Sequence, residues 1–149
     1  MRVCLVEGGV DRAIHEAAGP ELLEACRKLG GCELGKAKIT EAFGIKHADY
    51  IIHAVTPIYQ DNEQDEVLLA SCYTASLDLA LENGCSSIAF PCLAVGGHGY
   101  PLDEAGEIAL ETVRTWIDSH PDTVIDIYFC CYRREERSVY DMLVRNGLR

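Results

Sequence analysis

The 149-residue chain contains no apolar run approaching the roughly 20 residues needed to cross a bilayer. Its opening, Met1 to Val6, holds one basic side chain and too short an apolar stretch for a secretory signal, so export is not expected. Basic residues are scarce: 13 Lys and Arg stand against 24 Asp and Glu, a formal net charge of −11. A protein gripping duplex nucleic acid usually shows a basic face, because counterion release from phosphates supplies much of the affinity. The composition argues against that class, and a bound anion would have to rely on backbone amides. Also missing are a CxxC pair and a Cys/His cluster of zinc-finger spacing. GxGxxG and GxxxxGK-S/T are absent as well, so neither a Rossmann nor a P-loop nucleotide site is supported. No metal site and no cofactor is read from the chain.

What is present is the composition of one ordinary globular domain spanning residues 1–149, large enough for a single core. There are eight cysteines. Cys26, Cys72, Cys92 and Cys130 fall in apolar stretches, where a free thiol packs as a small hydrophobe. Buried, reduced thiols and a cytoplasmic location are therefore expected. Cys130 and Cys131 are adjacent on a strand candidate, which sends their side chains to opposite faces.

Hydrophobic periodicity divides the chain into alternating elements. Gly8-Gly9-Val10-Asp11 leads into an amphipathic stretch with Ile14, Ala17 and Ala18 on one side. Gly19-Pro20 then ends one helix and starts another, whose apolar face is Leu22, Leu23, Cys26 and Leu29. Strand candidates are 37–40, 50–55, 87–93 and 124–131. A helix over about 65–83 places Leu68, Cys72, Ala75 and Leu79 on its core face. Another over about 102–118 carries Ile108, Ala109, Val113, Trp116 and Ile117, and a last one covers about 136–146. Strands alternating with helices imply an α/β fold with a mostly parallel sheet covered on both faces.

In open α/β sheets, ligands sit at the carboxyl ends of strands, where loops run into helix N-termini. Gly96-Gly97-His98-Gly99 is such a loop. Its glycines allow a tight turn and close backbone approach, and free N–H groups at a helix start favour a phosphate. Gly8-Gly9-Val10 makes a similar entry into the first helix. Two such loops facing each other could clamp a diphosphate without any lysine, although a tight turn alone explains either cluster.

Taken in order, these segments resemble one known family. The run from Gly8 to Gly19 is similar to the macrodomain segment GGGVDxAIHxAAG. Gly35 to Thr40 resembles its G-E/D-A-x-I/V-T strand, and Ile52 to Tyr59 its YVIHTVGPxY strand. Ser87 to Pro91 followed by Gly96 to Pro101 resembles SIAFPxISTGxxGYP. The resemblance implies a three-layer α/β/α sandwich with a mixed central sheet and ADP-ribose in a cleft at its top. Gly8, Gly9 and Val10 would line one side of the diphosphate and distal ribose, and Gly96, Gly97, His98, Gly99 and Tyr100 the other. Tyr132 falls where the family often sets an aromatic against adenine. In the MacroD-like branch, which removes ADP-ribose from acidic side chains and hydrolyses O-acetyl-ADP-ribose, Asp11 would hold or activate the attacking water. The implied partners are ADP-ribose, O-acetyl-ADP-ribose and ADP-ribosylated proteins, with no membrane and no duplex nucleic acid. The alternatives are a reader that binds ADP-ribose without turnover, and an inactive fragment.

Two departures from the pattern carry expectations. Family members place a VDAIVNAAN strand ahead of the first glycine loop, and its last asparagine would fall at Met1. The N-terminal strands are thus expected to be missing, leaving unpaired N–H and C=O groups within the sheet. Ala94-Val95 replaces the family's Ser-Thr, and Gly97-His98 replaces Val followed by an aromatic. Backbone contacts to phosphate should survive this, whereas stacking at the distal ribose is affected. Read from their apolar surroundings, His15 and His53 are expected to be satisfied structural histidines.

Overall fold

A computed structural model describes residues 9–147. Along them run α1 (Gly9–Ala18), α2 (Pro20–Lys28), β1 (Ala37–Glu41), β2 (Tyr50–Ala54), α3 (Glu63–Glu82), β3 (Ser87–Pro91), α4 (Leu102–Ser119), β4 (Asp126–Cys130) and α5 (Arg134–Gly147). Gly8 lies outside the described residues, as does Cys4.

The break between α1 and α2 follows from two residues. Gly19 takes a left-handed φ of +89°, which a side chain would disfavour, and Pro20 opens α2 where its missing N–H is not needed. α1 is held from the other side by Gly44, whose N–H donates to the Ala18 carbonyl at 2.9 Å. A Cβ on Gly44 would stand 2.8 Å from that oxygen, so only glycine permits the approach.

β1 and β2 pair antiparallel, with Lys38 opposite His53 and Thr40 opposite Ile51. Side chains alternate across a strand, so Lys38, Thr40, Ile51 and His53 share one face. That face meets the first two helices: Ile51 packs with Ala18, Leu22, Cys26 and Ala42, and the Lys38 ammonium donates to the Leu29 carbonyl at 2.8 Å. The opposite helical layer is α3, α4 and α5.

α3 starts with a capping box. The Asn62 side chain accepts from the Asp65 amide, and the buried Asp65 carboxylate accepts from the amides of Asn62 and Gln60. The expected core face of this helix is displaced. Leu69, Cys72, Tyr73, Ser76, Leu77 and Ala80 are buried, while Leu68, Ala75 and Leu79 are only partly so. The cause is that α3 lies between the strands and α4 and is covered on both sides, so no single stripe is its interior.

β3, α4 and β4 form a parallel strand–helix–strand unit, with Phe90 beside Phe129 in register. The main core gathers between these strands and the α3–α5 layer, around Tyr73, Phe90, Leu110, Val113, Trp116 and Tyr140. Trp116 also donates its indole N–H to Asp78 at 2.9 Å, tying α4 to α3.

Strand pairing is mixed, as expected, but the described strands form two separate two-stranded ribbons, β1–β2 and β3–β4. The β3–β4 ribbon buries only one face. Ile88, Phe90, Ile127 and Phe129 pack against helices, whereas Ala89, Tyr128 and Cys130 are exposed. Cys130 is therefore not the buried thiol expected: alternation places it on the uncovered face. Ile117, expected on the core face of α4, is exposed as well. The cysteines among the described residues are unbridged, with Cys26, Cys32 and Cys72 buried. No described helix is long and apolar enough to cross a membrane.

Candidate functional site

The carboxyl end of β2 organises the site, because chemistry-bearing residues from three other segments converge on it. From α1, Asp11 and His15 stand one turn apart, with a carboxylate oxygen 3.7 Å from His15 Nε2. The Asp11 side chain is 39% exposed and that of His15 only 5%, so the carboxylate opens to solvent while the imidazole backs it from inside. Asp11 also sits in the first turn of α1, where the helix dipole favours a negative charge. Neither ring nitrogen of His15 has a hydrogen-bond partner among the described residues.

His53, on β2, faces this pair. Its Nε2 lies 2.9 Å from Thr40 Oγ1 on β1. The Thr40 hydroxyl also lies 3.1 Å from the Glu41 carbonyl, to which it can only donate, so it accepts from a protonated Nε2. Burial lowers the His53 pKa below its usual 6.5; the nearby Asp11 carboxylate opposes the shift and His15 adds to it. The imidazole is thus held in its neutral form next to a carboxylate.

On the other side of the strand end, the Gly96–Gly99 loop is fastened to the segment that follows β2. His98 Nδ1 lies 2.8 Å from Thr56 Oγ1 and 3.2 Å from the Pro57 carbonyl, and a carbonyl only accepts, which places the proton on Nδ1. The His98 carbonyl in turn accepts from the Tyr59 amide at 2.9 Å. Within the loop, the Gly99 amide bonds to the Gly96 carbonyl and the Tyr100 amide to Ala94. Gly99 turns at φ +72° and Ala94 at +69°. A Cβ on Gly96 or Gly97 would meet nothing within 4 Å, so these glycines border open space rather than a crowded turn.

The residues singled out by sequence are distributed unevenly. Asp11 and Gly96 to Gly99 gather at the end of β2. Gly9 and Val10 form the first turn of α1 immediately before Asp11. Tyr100 is buried, its ring 4.9 Å from that of Tyr59 and packed into the main core, so it supports the loop from beneath. Tyr132 is 90% exposed; its amide caps the start of α5 by donating to Glu136 Oε1 at 2.9 Å. His15 and His53 were expected to be structurally satisfied; His53 is, through Thr40, whereas neither His15 nitrogen has a hydrogen-bond partner among the described residues and its Nε2 stands 3.7 Å from Asp11. The signal was present in the four-residue step from Asp11 to His15, and in the strand alternation that sets Thr40 and His53 on the α1 face.

A model of the family described as Macro domain matches residues 2–109. This chain belongs to the macro domain family. A macro domain-containing protein of Chlorobaculum tepidum is 45% identical over 141 residues, covering 94% of this chain and 81% of that protein. The ADP-ribose glycohydrolase MACROD1 of Rattus norvegicus is 44% identical over 135 residues, covering 89% of this chain and 52% of its own length. Among solved structures, the Oceanobacillus iheyensis macrodomain with ADP superposes with a TM-score of 0.91 at 34% identity. It covers 98% of this macro domain and 80% of the matched chain.

Proposed function

We propose that this macro domain binds ADP-ribose at the carboxyl end of β2 and hydrolyses an ester of it, either a link to an acidic protein side chain or O-acetyl-ADP-ribose. Binding is supported by two backbone features either side of the strand end: the Gly9–Val10 start of α1, and the Gly96–Gly99 loop with its open approach. A glycohydrolase name on a relative and ADP in a structural neighbour agree with this reading.

The observation that carries hydrolysis is the Asp11–His15 pair. Splitting an ester needs a water oriented and partly deprotonated as it attacks. Asp11 presents a carboxylate toward solvent, with a buried imidazole behind it and the neutral His53 ring nearby. In this arrangement Asp11 accepts the water's proton, and the buried His15 ring backs the carboxylate from inside the protein. Amides of the glycine loops hold the diphosphate, so that the ester falls beside Asp11.

Calorimetric titration of ADP-ribose, paired with turnover of O-acetyl-ADP-ribose and of a glutamate-ADP-ribosylated protein, tests both halves. Replacing Asp11 by alanine should abolish turnover and leave much of the affinity. Binding without turnover in the unaltered chain identifies a reader instead, and absence of binding removes the ligand assignment.

A further inference from the structure

β3 and β4 run parallel with Pro91 opposite Cys130, so the next residue on each strand, Cys92 and Cys131, leaves the sheet beside the other. Their Sγ atoms stand 3.8 Å apart, with the Cys92 thiol directed at the Cys131 sulfur. Neighbouring strands lie about 4.8 Å apart, and disulfides join Cα atoms roughly 4.4–6.8 Å apart. With the sulfurs 3.8 Å apart at the ends of paired strands, a disulfide requires side-chain rotation and a short approach of one sulfur to the other. Both cysteines are partly accessible, and Cys131 is the less buried. Each heads a loop: Cys92 leads to Gly96–Gly99, and Cys131 precedes Tyr132.

We propose that Cys92 and Cys131 are a site of reversible oxidation, forming an intramolecular disulfide by exchange with a low-molecular-weight disulfide such as oxidised glutathione. The Cys131 thiolate attacks one glutathione sulfur, and the glutathione S–S bond breaks to release a glutathione thiolate. Cys92 then loses its proton to solvent and attacks Cys131 Sγ, expelling the second glutathione thiolate. Both leaving thiolates take up protons, so two cysteine thiols are oxidised and one glutathione disulfide is reduced to two thiols. This chemistry is independent of what the cleft binds.

Reactivity is restrained by the surroundings. Burial pushes the Cys92 thiol up to about 12, and Cys131 is raised by burial and by the carboxylates of Glu136 and Asp141. Exchange is therefore slow at neutral pH and quickens in mild alkali, as the thiolate population grows.

The test exposes the full chain to oxidised glutathione at mildly alkaline pH and maps disulfide-linked peptides by mass spectrometry. The expected product is a Cys92–Cys131 linkage, with loss of two hydrogen masses, that dithiothreitol reverses. C130S retains the linkage, which separates Cys131 from its exposed neighbour. C92S loses it and accumulates a glutathione adduct on Cys131. A map without the Cys92–Cys131 linkage, or a linkage to Cys92 that disappears in C130S, overturns the proposal.

Discussion

Asp11 and His15 are separated by one turn of α1, with a carboxylate oxygen of Asp11 3.7 Å from Nε2 of the buried histidine. Groups that act as a unit lose their effect together, so their replacements should not add. Asp11→Asn is expected to lower kcat about a hundredfold or more, the scale of a lost general base. His15→Phe keeps the ring's bulk and should lower kcat on its own, yet change little further in the Asp11→Asn background. Steady-state kinetics on both single variants and the double variant checks this. Independent, additive losses would separate the two roles.

The depressed pKa of His53 makes stability depend on pH. Between the folded-state pKa and 6.5, the unfolded chain binds a proton that the folded chain does not, so acid favours unfolding. The stability associated with His53 is complete above pH 6.5, falls as pH drops below it, and levels off once the folded-state pKa is passed. Denaturant melts of the unaltered chain and of His53→Gln, run from pH 7.5 to pH 5 or so, should show a shallower decline in the variant. Identical slopes would remove His53 as the cause.

His98 is expected to act on ligand affinity through loop position. His98→Ala removes the tie to Thr56 and Pro57, worth about 0.5–1.5 kcal/mol. The expected weakening of ADP-ribose binding is roughly two- to tenfold, read by calorimetry. His98→Asn keeps a donor near the Pro57 carbonyl and should recover part of the loss. A full loss of binding in both variants would instead mean that the side chain touches the ligand.

Three glycines should behave in three ways. Gly44→Ala drives a Cβ onto the Ala18 carbonyl and should cost about 1–3 kcal/mol of stability. Gly99→Ala has space but is forced to φ +72°, costing about 1–2 kcal/mol. Gly96→Ala meets nothing and should unfold within about 0.5 kcal/mol of the unaltered chain, while weakening ligand binding if the backbone there approaches a phosphate. Chemical denaturation and titration side by side separate these outcomes.

Much of the fold was legible in the sequence. Gly19-Pro20 and the alternation of apolar runs act locally, and the elements appear close to where such signals place them, although α3 starts at Glu63, two residues ahead of its expected start. The register of burial around α3 was not legible, since it depends on which neighbours cover the helix. Cys130 was misjudged for a related reason: an apolar strand reads as buried on both faces, but β4 is covered on one. For the site, the glycines and Asp11 are readable because their chemistry follows from residue type and position. The approach of His53 to α1 is not, because it depends on how an antiparallel pair and two short helices meet. Tyr100, read as a ligand contact from its place in the motif, is buried against Tyr59, a packing that the motif alone does not reveal.

His98 engages the chain beyond β2 with its ring and its main-chain carbonyl, and Thr56 follows His53 by only three residues. The Gly96–Gly99 loop and the His53 ring are thus yoked to one short stretch of backbone, 53–59. Any displacement of the loop must pull on the same stretch that carries the imidazole, across a lever arm of a few residues.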